Sequence, residues 1–190
     1  LKFIQVNKLI YFSSDAVYGS GPTTINDKSK PSPDDLYGLM HLTREVMLKE
    51  IVKAESLLVL RPSIIFGKND THNSYGPNRF MRSAESENKI FLFGKGEERR
   101  DHVFINDLVS IIKQSITQNI TGTYNVASGK SYSFHEVAKL IATMNNRKID
   151  IVFSKRANPI SHRYYNNDIF LQTYKNFKFT NIEKAFDKII

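Results

Sequence analysis

The run Leu9-Ile10-Tyr11-Phe12 passes directly into Ser13-Ser14-Asp15, and this sharp change from apolar to small polar residues constrains the chain more than any other feature. Such a run reads as a buried parallel strand that opens into a loop at its carboxyl end. Open α/β sheets place their ligands along that edge. A pair of hydroxyls there, with Tyr37 on the next predicted helix, can form a proton-transfer site if the two converge. On these residues alone, a buried strand and a core tyrosine remain the alternative.

The segments that follow narrow the choice. Gly19 to Ser32 is loop-like in composition, and Asp34 or Asp35 offers an N-cap for a helix over Leu36 to Lys53. Leu39, Leu42, Val46, Met47 and Ile51 fall on one face of that helix, as an apolar stripe does. Tyr37 and His41, four residues apart, share a side of it. Leu57 to Leu60 reads as a second buried strand stopped by Arg61-Pro62, so strand, helix and strand make one βαβ unit. Further on, the pattern predicts a loop to Asn78, a helix to Glu87 and a strand over Ile90 to Phe93. A charged turn over Gly94 to His102 and a short extended run over Val103 to Ile105 follow. Asn106 or Asp107 is expected to cap a helix, and Thr123 to Ala127 and Ile149 to Phe153 to be strands. Ser133 with Glu136, and Thr180 with Glu183, read as capping boxes, and Lys155 to Asn167 is a polar segment. No linker divides the chain, which predicts one and a half lobes packed together.

Composition removes several classes. The sequence has no cysteine, which excludes disulfides, zinc-thiolate sites and cysteine nucleophiles. The net charge of +8 is compatible with nucleic acid or an anionic small substrate, but its lysines are scattered and no arginine stripe alternates with aromatics. We therefore expect no nucleic-acid partner. No apolar run reaches the ~20 residues that span a bilayer, and no signal-peptide pattern opens the chain, so the expected setting is cytoplasmic and without a membrane. Asn69-Asp70-Thr71 and Asn119-Ile120-Thr121 fit the glycosylation sequon but carry little weight without a secretory signal. Leu1 stands where an initiator methionine is usual, a few residues before a strand, so the chain reads as a piece of a longer one.

Five stretches in order carry a resemblance: Ser13-Ser14-Asp15-Ala16-Val17-Tyr18-Gly19; Tyr37-Gly38-Leu39-Met40-His41; Leu60-Arg61-Pro62-Ser63-Ile64-Ile65-Phe66-Gly67; Phe93 to Asp107; and Gly122-Thr123-Tyr124-Asn125-Val126-Ala127-Ser128-Gly129. Together the sequence resembles the extended short-chain dehydrogenase/reductases, the NAD-dependent epimerase/dehydratase family acting on nucleotide sugars, over its carboxyl-terminal two-thirds. The resemblance implies an α/β fold: the C-terminal part of a Rossmann-type doubly wound parallel sheet, lacking its first strands, plus a small mixed α/β substrate lobe. Residues 1–67, with 103–127 returning, would belong to the NAD(P)-binding domain, and 68–102 with 128–190 to the substrate lobe. It also implies roles. Ser14 would hydrogen-bond the reacting sugar hydroxyl or carbonyl, and Tyr37 would be the acid/base. Ser13, Pro62 and Ser63 would lie against NAD or NADP, together with Tyr37 and His41. Asp15, Ile64, Arg100, Arg156 and Arg163 would face a nucleotide-diphosphate sugar, the arginines because a planar guanidinium fork pairs with phosphate oxygens. The resemblance also implies a homodimer through the tyrosine helix and the helix before it, of which only the first is present here, so the oligomeric state stays open.

The departures are informative. Where the family reads Tyr-x-x-x-Lys, the fourth residue after Tyr37 is His41. Ionising a tyrosine of pKa ~10 near pH 7 requires about three units, or ~4 kcal/mol, part of which a neighbouring cation supplies. Histidine is mostly neutral at pH 7. Either the tyrosine is a weaker base, or a nearby carboxylate keeps His41 protonated; the other possibility is a non-catalytic member acting as a binding or assembly subunit. Ile64 replaces an asparagine common in the family. Asp15-Ala16 lacks the Asp-Glu pair of sugar 4,6-dehydratases, which favours epimerase or reductase chemistry. The family's phosphate-binding glycine loop lies on the first strands of the sheet, and at ~30 residues per βαβ unit about a hundred residues are expected to precede Leu1. Gly19-Ser20-Gly21 does not replace it, since Pro22 follows and no helix pattern begins there. By this reading the chain alone binds NAD poorly or not at all.

Overall fold

A computed structural model describes residues 6–21, 23–26, 28–68, 70 and 73–190. The head of the chain (1–5), Pro22, and Asn69 and Thr71 of the first sequon lie outside the described residues. Strand β1 (Leu9–Phe12) runs to Ser13-Ser14, and a single 3-10 turn, Asp15–Tyr18, follows. After the short β2 (Thr24–Ile25), helix α1 (Leu36–Ile51) returns the chain to β3 (Leu57–Pro62). β1 and β3 are parallel with Leu9 opposite Leu57 and Phe12 opposite Leu60, the βαβ unit the spacing predicts. Ser63 then turns the chain into β4 (Ile64–Phe66).

Helix α2 (Pro77–Glu87), β5 (Lys89–Phe93), β6 (Arg99–Phe104), α3 (Ile105–Thr117) and β7 (Gly122–Val126) come next. β7 lies parallel to β3 on the side away from β1, so β3 is central and all six of its residues are buried. Beyond it come β8 (Ser131–Ser133), α4 (Phe134–Met144), β9 (Asp150–Ser154), β10 (Tyr164–Tyr165), α5 (Asp168–Thr173) and α6 (Ile182–Phe186). β4, β6 and β8 form a second small sheet, β5 pairs with β9, and β10 pairs with β2 across most of the sequence. The architecture is mixed α/β with a parallel sheet, as expected.

Three apolar clusters hold these layers. Phe66, Phe80, Ile90, Leu92, Phe104, Val137, Ile141 and Phe186 pack α2, α4 and α6 onto β5 and β6. Leu58, Leu60, Val126, Leu108, Ile111, Phe170 and Tyr174 pack α3 and α5 onto the first sheet. Val17, Tyr18, Ile25, Ala127 and Tyr165 make a third cluster under the carboxyl ends of the strands. Among the described residues no helix is long and apolar enough to cross a membrane.

Four local expectations need correction. β6 begins at Arg99, inside the stretch read as a charged turn, because Asp101 and His102 are buried within that strand. Helix α3 starts at Ile105 without a side-chain cap; Asp107 instead accepts from the Thr180 hydroxyl at 2.6 Å and backbone N–H at 2.7 Å. That commitment removes Thr180 from its expected capping box, and Asn181 caps α6 in its place. Lastly, most of the apolar stripe of α1 does not face inward: Leu39, Val46, Met47 and Ile51 are exposed, whereas Leu42 packs partly buried against the third cluster and Gly38, His41 and Glu45 are buried. The Ser133–Glu136 capping box is present with both halves formed.

Candidate active site

The carboxyl end of β1 is shaped by its neighbours before any ligand is considered. Ser14 is the N-cap of the 3-10 turn, its Oγ accepting from Ala16 N–H at 3.1 Å, and it is nearly buried. Gly38 sits so close to the Ala16 carbonyl that a Cβ there would collide with it. This close approach seats the first turn of α1 on the turn that Ser14 opens. Asp35 caps that helix, accepting from Gly38 N–H at 2.7 Å. Tyr37 precedes Gly38, so it stands beside the Ser14 turn with its side chain more than half exposed.

One turn along α1, His41 packs edge-on to Tyr37 with ring centroids 4.7 Å apart. Tyr11, from β1, places its hydroxyl 2.9 Å from His41 Nδ1. One further turn along, Glu45 is wholly buried and binds Arg61 of β3 through two hydrogen bonds, 2.9 Å to Oε1 and 2.6 Å to Oε2. Ser13 donates to the same carboxylate at 2.5 Å. Arg61 also donates to the Tyr18 hydroxyl at 2.9 Å, which passes its own hydrogen to Asn125 Oδ1 at 2.7 Å. Burial alone would raise the Glu45 pKa, but the Arg61 and Ser13 hydrogen bonds prevail and hold it below the ordinary carboxylate range. His41 goes the other way from the protonated option: burial, then the Arg44 charge, lower its pKa against the pull of Glu45. The nearby carboxylate that could have kept it charged is already committed to Arg61.

Within the Ser14 turn, Asp15 accepts from Tyr165 at 2.5 Å and pairs with Arg163 at 3.1 Å. Arg163 also donates to the carbonyls of Asp15 and Gly19. Arg100 lies near it and is held by the Ser161 carbonyl and hydroxyl at 2.6 and 2.8 Å and by the Arg99 carbonyl, with no carboxylate among its hydrogen-bond partners in the described residues. Burial, then the neighbouring Arg163 charge, lower the Arg100 pKa. Two guanidiniums thus share a half-buried corner that holds one carboxylate, Asp15, in direct contact.

The remaining candidates have other attachments. Arg156 is paired with Glu97 at 2.5 Å and Glu98 at 2.6 Å, so its charge is neutralised within the protein. Ser63 gives its hydroxyl to buried Asp101 at 3.1 Å, which also accepts from the Ser128 N–H and hydroxyl. Burial raises the Asp101 pKa against these hydrogen bonds. Pro62 is buried at the end of β3, and half-buried Ile64 opens β4 opposite His102. The structure therefore seats Gly38 of α1 on the turn that bears Ser14 and Asp15, pairs Arg163 with Asp15 and sets Arg100 beside it, places Tyr37 against His41 on that same helix, and leaves Arg156 tied to Glu97 and Glu98. Sequence reasoning missed Tyr11, Arg44, Glu45 and Arg61. The polar row Tyr37, His41, Glu45 at i, i+4 and i+8 was the available signal, since those positions share a helix face. A separate cavity of about 640 Å³, lined by residues including Asn78, Glu85 and Arg147, shares none of the corner's residues.

Comparison with known proteins places this corner in context. ADP-L-glycero-D-manno-heptose-6-epimerase of Thiobacillus denitrificans is 26% identical over 159 residues, covering 76% of this chain and 47% of its own length. A dTDP-D-glucose 4,6-dehydratase of Dictyostelium discoideum is 26% identical, covering 76% of this chain and 36% of its own length. The chain thus spans about half or less of the length of these curated relatives. Among solved structures, the UDP-N-acetylglucosamine 4-epimerase of Methanobrevibacter ruminantium superposes with a TM-score of 0.82 at 23% identity, over 96% of this chain and 60% of that one. The fold is that of these Rossmann-type enzymes. The profile of the NAD dependent epimerase/dehydratase family matches residues 1–127, and the chain belongs to that family.

Proposed function

We propose that this chain carries the proton-transfer and diphosphate-binding side of an NAD(P)-dependent enzyme that epimerises or reduces a nucleotide-diphosphate sugar. The observation that supports the reading is the packing of Gly38, the neighbour of Tyr37, on the Ser14 turn at the carboxyl end of a parallel strand, with Arg163 paired to Asp15 of that turn and Arg100 beside it. In this reading Ser14 hydrogen-bonds the sugar oxygen that changes oxidation state. Tyr37 takes or returns its proton, and Arg100 with Arg163 holds the diphosphate. Removing one buried, hydrogen-bonded carboxylate–guanidinium contact to admit a phosphate is a like-for-like exchange of anions for Arg163.

Solved relatives hold NAD or NADPH. The residues here fit the nicotinamide half of such a group in one respect: His41 Nε2 and the exposed Tyr37 hydroxyl have no protein hydrogen bond among the described residues. They would meet the nicotinamide ribose, with Pro62 behind it. The hydroxyls of Ser13 and Ser63 are committed to Glu45 and Asp101, so those two serines contribute backbone at most. Bound nicotinamide supplies reversible hydride transfer. Dehydration is disfavoured because Asp15 is fastened by Arg163 and Tyr165 and Ala16 bears no acid. A second reading, a non-catalytic binding or assembly subunit, draws on His41 standing where the family has lysine.

The test is Tyr37→Phe in protein expressed from its complete reading frame. Turnover of the nucleotide sugar should fall by roughly 10²–10⁴, the usual worth of a general acid/base, far more than cofactor affinity weakens. Unaltered turnover removes Tyr37 from the mechanism. If the parent and His41→Lys are both inactive on every nucleotide sugar tried, the non-catalytic reading holds instead.

A further inference from the structure

Arg163 is pinned in two different ways by the turn beside it. Its guanidinium donates to the backbone carbonyls of Asp15 and Gly19, and also to the Asp15 carboxylate 3.1 Å away. The carbonyls fix where the group sits and leave its charge intact. The carboxylate cancels that charge, and a charge-assisted bond is the stronger of the two kinds. Solvent reaches the pair poorly, since the Arg163 side chain is 14% exposed and that of Asp15 19%, so salt screens it less than a surface pair. The Tyr165 hydroxyl donates to the same Asp15 oxygen at 2.5 Å, which gives the carboxylate a partner of its own when the guanidinium is engaged elsewhere.

Arg100 is the contrast. Its hydrogen bonds go to the Ser161 carbonyl and hydroxyl and to the Arg99 carbonyl, which position it without neutralising it. The two arginines belong to one patch: the Arg163 N–H donates to the Arg99 carbonyl at 3.0 Å, and Ser161, which holds Arg100, lies two residues before Arg163. A ligand with a single anionic group can be met by Arg100 alone. A diphosphate that engages both guanidiniums has to take Arg163 from Asp15.

We propose that Asp15 is an internal counter-anion and a specificity-determining residue: its carboxylate occupies Arg163 until a diphosphate displaces it, so that Asp15 sets how much negative charge a ligand must bring. This rests on the reading of Arg100 and Arg163 as the diphosphate contacts. On binding, Arg163 exchanges a carboxylate for a phosphate oxygen while the Asp15 and Gly19 carbonyls keep it in place, and Asp15 retains Tyr165.

The experiment is calorimetric titration with inorganic pyrophosphate, at fixed ionic strength, of protein expressed from its complete reading frame. Asp15→Asn keeps an acceptor for Tyr165 and removes the charge. It should bind pyrophosphate roughly tenfold more tightly than the parent, the step between a charge-assisted and a neutral hydrogen bond, and gain less for inorganic phosphate. Asp34→Asn is the control. Asp34 is exposed and feels the Arg163 charge, but its carboxylate accepts from the Ser20 N–H instead, so its loss should change pyrophosphate affinity little. Weaker binding in Asp15→Asn would mean that the carboxylate orients Arg163 for the ligand, which overturns the counter-anion and leaves the diphosphate reading standing. An equal gain in Asp34→Asn would reduce the effect to general surface charge and overturns it too. Pyrophosphate bound by neither the parent nor Asp15→Asn removes the diphosphate reading and this inference with it. If Asp15→Asn fails to fold, Asp15→Ser, also neutral and able to accept, takes its place with the same expected sign.

Discussion

A single histidine shows how placement rather than identity sets chemistry here. His102 lies in β6 between the rings of Phe66 and Phe134, and neither ring nitrogen makes a well-formed hydrogen bond. Burial, then the nearby Arg100 charge, push its pKa down to about 3. The unfolded chain takes up that proton near pH 6.5, whereas the folded protein does so only near pH 3. The contribution to stability is thus complete above about pH 6.5 and declines as pH falls, by about 1.4 kcal/mol per pH unit. Urea unfolding between pH 6.5 and 5 should show this slope, and His102→Phe should flatten it. Equal slopes in both proteins would mean that His102 titrates normally when folded. His41 is displaced in the same direction by its own burial, which adds to the acid sensitivity without altering its sign.

At the scale of the element, α1 is the part that the sequence describes best and misdirects most. Its start is legible from Asp35, and its place in a βαβ unit from the apolar runs on either side. The orientation is not legible, because it depends on a partner 16 residues on: Arg61, buried in β3, draws Glu45 inward and with it the polar row. An apolar stripe gives the facing side only when the competing side has nothing specific to bind. The same limit explains other misses. Arg99 to His102 looks like a turn until Ser63 and Ser128 supply partners for Asp101, and α5 has no cap or period strong enough to announce it. Gly38 gives a test at this scale. In an ordinary helix Gly→Ala gains up to about 1 kcal/mol, but here the added methyl meets the Ala16 carbonyl. Gly38→Ala should therefore destabilise by roughly 1–3 kcal/mol, the usual cost of overpacking, measured by denaturant unfolding. A neutral or stabilising result would show that α1 does not rest on the Ser14 turn.

Across the whole molecule, the candidate site is assembled from segments far apart in the chain. Ser13, Tyr18, Glu45, Arg61 and Asn125 form one buried hydrogen-bonded network, and Arg100 meets the segment around Ser161. Because Arg100, proposed to hold the diphosphate, is positioned by that later segment, Arg100→Ala should raise the Michaelis constant for a nucleotide sugar by roughly tenfold or more, the size of a charge-assisted hydrogen bond of about 1.5–3 kcal/mol. The constant for the free sugar should barely change, and equal effects on both would make Arg100 a structural cation. Legibility follows the same division: motifs local in sequence could be read directly, whereas the choice between Arg156 and Arg163 depended on which acids the fold brought to each. The fastening of Asp15 by Arg163 and Tyr165 spans 148 and 150 residues. During synthesis, then, the first-made strand of this corner leaves the ribosome with its acid unattached. It stays unlatched until the segment near Tyr165 has been translated, so a nascent chain stalled before that point has the scaffold of the corner without its closure.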